Sequence, residues 1–132
     1  MKIVENNFLL KLALAIIFLS HSLHGIFTGN DVNDFGNLFL NKIGFAPFGV
    51  YISWSVILFQ IIGSLLLILD KFITTVSIIF IFILINGIVL VHFQYGWFVV
   101  GAGRNGMEFS FLLIMALITI VLPKILKLRT EN

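Results

Sequence analysis

The sequence predicts an all-α membrane protein, a four-transmembrane-helix bundle with a short amphipathic helix in its first outer loop. Three observations predict it. Hydrophobic residues make up 60% of the 132 residues and charged residues 11%, against roughly 45–50% and about 25% in soluble domains. The mean hydropathy is +1.14, and so short a chain leaves too much surface in water to hide that. The apolar residues also fall in runs close to the roughly 20 residues that a spanning helix needs.

Residues 50–69, "VYISWSVILFQIIGSLLLIL", and 72–93, "FITTVSIIFIFILINGIVLVHF", contain no Asp, Glu, Lys or Arg. Asp70 and Lys71 alone separate them, so a tight helical hairpin is expected. A further span is expected over about 107–126, ending at the basic group Lys124, Lys127 and Arg129. The first span, about 8–27, carries Lys11 near its start. A lysine one turn inside a helix end can extend its stem to the interface. The short core "LALAIIFL", Lys2 and the small-x-small pattern Ser20–His21–Ser22 resemble a cleavable signal peptide. The apolar run resumes after His24, however, and an uncleaved span is the expectation. One transmembrane domain, 1–132, accounts for the whole sequence.

Between the first two spans, Val32, Phe35, Leu38, Phe39 and Ile43 recur at helical spacing against Asn33, Asp34, Asn37, Asn41 and Lys42. This predicts an amphipathic helix in the outer interface or over the bundle mouth, capped by Asn30 or Asp31 and ended by "APFG" at 46–49. Four spans put both termini on one side with Lys2, Lys71, Lys124, Lys127 and Arg129, and leave Lys42 and Arg104 on the other. The positive-inside rule then predicts cytoplasmic termini. Tyr51, Trp54, Tyr95 and Trp97 all fall near the outer interface.

The net charge of +2 and the pI near 9.2 do not point to nucleic acid, because the basic cluster flanks an apolar run. With no cysteine, the chain carries no disulfide, thiolate metal site or iron–sulfur cluster of its own. "GAGRNGMEF", 101–109, contains G-x-G-x-x-G. A dinucleotide fingerprint works inside a strand–helix–strand unit, with an acidic residue about 20 positions on. Here one helix follows and the chain stops, so no dinucleotide site is expected. The glycines instead suit tight turns that fold an outer loop back, with Glu108 in the first turn of the last span and Arg104 near enough to pair with it.

"HFQYGWFVVGAGRNGMEFSFLLIMAL" resembles the last part of DoxX-family membrane proteins, where a third span leads through "GW" or "GF" and a glycine-rich loop to "G-x-E". "LLKLALAIIFLSHSLHGIF" is similar to that family's first span, with Lys11 for the usual Arg, and Phe18 and His21 for the Phe and His of "F-x-x-H-G". "FQIIGSLLLILDKF" is similar to its second span, with Gln60 in place of the usual Glu; Ser22 stands where Gly is usual. The resemblance implies a four-helix bundle in a prokaryotic cytoplasmic membrane. It also implies kinship with partners of quinone-dependent or oxidative-stress complexes, and with eukaryotic assembly factors.

Polar groups inside a bilayer are costly and turn toward the bundle or a cavity. His21, Gln60, Asn86, His92, Arg104 and Glu108 all fall in the outer half, which suggests an outward-opening pocket for a small polar headgroup. A quinone ring fits that description, because its carbonyls need hydrogen-bond donors. The same residues read as packing groups: Gln60 and Asn86 bonding neighbouring helices, His21 and His24 wet at the interface, Glu108 and Arg104 a cap and a surface pair. Histidine and carboxylate suit zinc or iron, but the spacing forms no motif and no metal site is assigned. No nucleophile–base–acid set is present. Three functions follow: an accessory subunit or partner of a membrane redox complex, a non-enzymatic assembly or interaction protein, and a small-solute or lipid-binding permease.

Overall fold

A computed structural model describes residues 7–101 and 105–130. Among these residues there is helix and no strand. The four long helices are α1 (Phe8–Phe27), α3 (Gly49–Ile68), α4 (Ile73–Gly87) and α5 (Glu108–Thr130), and the short α2 (Asp31–Asp34) lies between the first two. α4 continues through a wide turn, Ile88–His92, and a tight one, Phe93–Tyr95. The candidate spans are Phe8–Phe27, Gly49–Ile68, Ile73–Tyr95 and Glu108–Lys127, and in none is more than 33% of the apolar window buried. A helix satisfies its own backbone in lipid, which is why these apolar runs are helical. Lipid or another chain must cover what they leave exposed.

The chain divides into two compact units, residues 12–69 and residues 1–11 with 70–132. In the first, α2 runs on into a wide-turn helix, Phe35–Phe45, broken at Gly44 by φ 113°. This segment bears out the amphipathic reading but not its face. The buried positions are Val32, Gly36 and Leu40, while Phe35, Leu38 and Ile43 are exposed; Phe35 and Phe39 stack on each other at 5.1 Å. Gly36 is the reason. A Cβ there would lie 2.5 Å from Val50 Cα and 2.6 Å from its N, so only glycine lets the segment press on the start of α3. The line that meets α3 therefore passes through Gly36, which a hydrophobicity pattern does not register.

Two asparagines complete the join. Gly49 N, in the first turn of α3, donates to Asn41 Oδ1 at 2.9 Å, which satisfies one of the donors a helix start leaves unpaired. Trp54 Nε1 donates to Asn33 Oδ1 at 2.8 Å. Neither expected cap forms at α2: Asn30 stands at the N-cap without a side-chain bond, and the Asp31 carboxylate takes the Thr28 hydroxyl at 2.6 Å.

In the second unit α4 and α5 pack along each other. Buried Ile73, Val76 and Phe80 of α4, and Leu113, Leu117, Ile120 and Val121 of α5, form its core. The predicted hairpin turn is as tight as the two charged residues suggested, with Asp70 at φ 56° and Phe72 at φ 52°. Aspartate visits this left-handed region with little cost.

Candidate functional site

Gln60 lies on α3 roughly 16 Å along the helix from Gly49, at ~1.5 Å per residue. It is 5% exposed. Ser22 Oγ of α1 donates to its Oε1 at 2.8 Å, and the same hydroxyl lies 2.9 Å from Phe18 O. Ser64 Oγ donates to the Gln60 backbone carbonyl at 2.6 Å. Among the described residues the Gln60 Nε2 has no hydrogen-bond partner. Turning the amide over would spend one N–H on the Ser22 oxygen and still leave the other. A primary amide near the middle of a spanning helix thus has N–H groups that no described residue accepts, on a nitrogen that is not fully enclosed; among the described residues the enclosed side-chain polar atom without a partner is Ser77 Oγ.

The other predicted residues have different surroundings. His21 is exposed and engaged in an interaction of its own. Asn86 turns back on its helix, Nδ2 donating to Phe82 O at 2.7 Å, and no side-chain bond from it to another helix forms among the described residues. His92 Nδ1 lies 2.8 Å from Asn105 O; a carbonyl only accepts, so this ring nitrogen carries the proton. Arg104 lies outside the described residues. Among the described residues no three His, Cys, Asp or Glu side chains come together as a metal-holding group.

Glu108 is a fastener of the glycine loop. Its Oε1 accepts Val99 N at 3.0 Å, its own N donates to Trp97 O at 2.9 Å, and Met107 N donates to Gly96 O at 3.0 Å. Gly106 presses on the carbonyls of Trp97 and Phe98, leaving no room for a Cβ, and Gly101 has φ 87°. Trp97 packs on Phe111 at 5.5 Å. Gly101 and Gly106 serve this fold-back; Gly103 lies outside the described residues. Glu108→Ala should strip Val99 N of its acceptor at a cost of about 1–2 kcal/mol, while Glu108→Gln keeps an acceptor oxygen. Hydrogen exchange over 96–101 should quicken in the first variant and stay near wild type in the second.

At the other end of the same unit Lys11 corrects the expectation that it reaches out to the interface. It is 2% exposed, and its Nζ donates to Asp70 Oδ1 at 2.7 Å, with Lys124 Nζ 3.5 Å from the same oxygen. A carboxylate within reach removes the need to extend to water. The Lys11 hydrogen bond, helped by the charge of Lys124, holds the Asp70 carboxyl below its ordinary range despite some desolvation.

Ser22 and Asp70 are the two contributors that sequence reasoning passed over. A signal for Asp70 was present: a lone lysine inside the first span and a lone aspartate closing the second fall on the same side, and charges at that depth pair. Ser22 carried no such signal, since a small residue reads as packing. Compared with known proteins, the chain matches the DoxX family over residues 7–93, from the first turn of α1 through the end of the third span. No curated protein and no solved structure matches it significantly. The match takes in the basic residue of the first span, His21 and Gln60, and its extent places this chain in the DoxX family.

Proposed function

We propose that this protein is an accessory subunit or partner of a membrane redox complex, and that it holds a carbonyl-bearing headgroup, a quinone, at the Gln60 amide. The observation that carries this reading is the Gln60 side chain, 5% exposed, whose Oε1 takes the Ser22 hydroxyl and whose amide N–H groups no described residue accepts. Quinone carbonyls accept hydrogen bonds, and an amide gives one without supplying or removing a proton. The role is therefore binding and orientation, with electron transfer belonging to the partner. The test is quinone copurification by mass spectrometry. Gln60→Leu should lower quinone occupancy about fivefold, the equivalent of one membrane hydrogen bond of ~1 kcal/mol, with thermal stability nearly unchanged. Equal occupancy in both proteins would sink the quinone role.

A second reading, a non-enzymatic assembly or interaction protein, is favoured by the apolar side of 35–48. Phe35, Leu38, Ile43, Phe45 and Phe48 are exposed there on a segment fastened by Asn33, Asn41 and Gly36. A partner subunit crosslinked at Leu38 in cells, with quinone absent, would favour this reading.

Both readings place the protein in a prokaryotic cytoplasmic membrane with cytoplasmic termini. The support is the basic group Lys71, Lys124, Lys127 and Arg129 on the side of the termini. A cysteine at Asn37 should react with an impermeant thiol reagent in intact cells, and one at Thr130 should react after lysis alone. The reverse pattern would invert the topology.

A further inference from the structure

The Lys11–Asp70–Lys124 group is not used by the proposed quinone role, and its charge is unbalanced. Lys11 and Lys124 both meet the one carboxylate of Asp70. The deepest cation, Lys11, takes the short bond to that carboxylate. Lys124 stands 3.5 Å from the same oxygen with its side chain 42% exposed. Lys71, the next residue, is exposed as well. Beside these cations the surface is apolar: Phe72 of the turn is 73% exposed, and Leu122, Ile125 and Leu126 are exposed on α5. Cations above an apolar shelf match a lipid with a negative headgroup and acyl chains. Each lysine near an anionic lipid surface attracts it, and basic sites at helix ends take phosphate-bearing heads.

We infer that Lys124 and Lys71, set around Asp70, form a binding site for the phosphodiester of an anionic glycerophospholipid, whose acyl chains lie along Phe72 and Leu122. Asp70 takes the short bond from Lys11, which leaves Lys124 and Lys71 to meet the anion. The site is independent of Gln60 and stands or falls apart from the quinone reading.

The experiment is native mass spectrometry of the full chain in detergent, titrated with dioleoyl phosphatidylglycerol, dioleoyl phosphatidylcholine or inorganic phosphate, beside thermal unfolding in each. Phosphatidylglycerol should give a saturable adduct and raise the melting temperature, and phosphatidylcholine should do neither. Lys124→Gln should weaken the adduct about fivefold. Lys71→Gln, which alters no contact of the fold, should do the same if Lys124→Gln folds poorly, and Lys42→Gln should leave it unchanged. Equal adducts with both lipids, or equal loss in Lys42→Gln, would overturn the site. Stabilisation by inorganic phosphate as large as that by phosphatidylglycerol would overturn the lipid assignment and leave a site for a soluble anion.

Discussion

Asp70→Asn should destabilise the detergent-solubilised protein by about 2 kcal/mol. Breaking a buried ion pair by removing one partner costs about 3–5 kcal/mol when both are enclosed, because a charge is left without compensation. The side chain of Lys11 is 3% exposed but that of Asp70 is 38% exposed, so water and Lys124 moderate the loss. Lys11→Met replaces the cation with an apolar side chain of similar length in an apolar span, and it should be close to neutral. The double variant should recover most of what Asp70→Asn loses, since the buried cation that made the loss costly is then absent. Thermal unfolding of the four proteins checks this, and an additive double variant would mean that the pair is not coupled. The pH dependence has a definite sign. The folded-state carboxyl of Asp70 is held below its ordinary value. Its contribution is therefore fully present above the unfolded aspartate pKa of about 3.9 and is lost as pH falls through the lower folded value. Wild type should lose melting temperature in that acid window, and Asp70→Asn should lose less.

Gly36→Ala should cost about 3 kcal/mol, at the upper end of overpacking penalties. The new Cβ would meet the backbone of Val50 and Gly49, at 2.5 Å from Val50 Cα, and backbone cannot rotate aside as a side-chain tip can. The helical segment 35–45 would have to lift from α3. Asn41 would then release Gly49 N and Asn33 would release the Trp54 indole. Trp54→Phe provides the comparison, since it breaks the indole bond without moving the segment. Melting temperature and protease sensitivity at 35–45 should change strongly in Gly36→Ala and weakly in Trp54→Phe. A Gly36→Ala protein as stable as wild type would mean that the segment does not seat on α3 through this glycine.

The spans, the tight 69–72 turn and the amphipathic segment between the first two spans were legible in the sequence because each is a property of neighbouring residues. A run of about 20 apolar residues must be helical in lipid whatever it touches. What only the tertiary structure decided is which polar group meets which. Gln60 and Asn86 look alike in sequence, one amide in each of two apolar helices. One bonds a serine 38 residues away, whereas the other bonds the carbonyl one turn back on its own helix. Lys11 could equally have reached for water, and it was an aspartate 59 positions along the chain that turned it inward. Glu108 read as a pocket carboxylate, yet the backbone of Val99 claims one of its oxygens. Hydrophobicity acts over area and averages along a helix, so it survives in the sequence. A hydrogen bond depends on a few tenths of an ångström between groups that the chain brings together only when it folds.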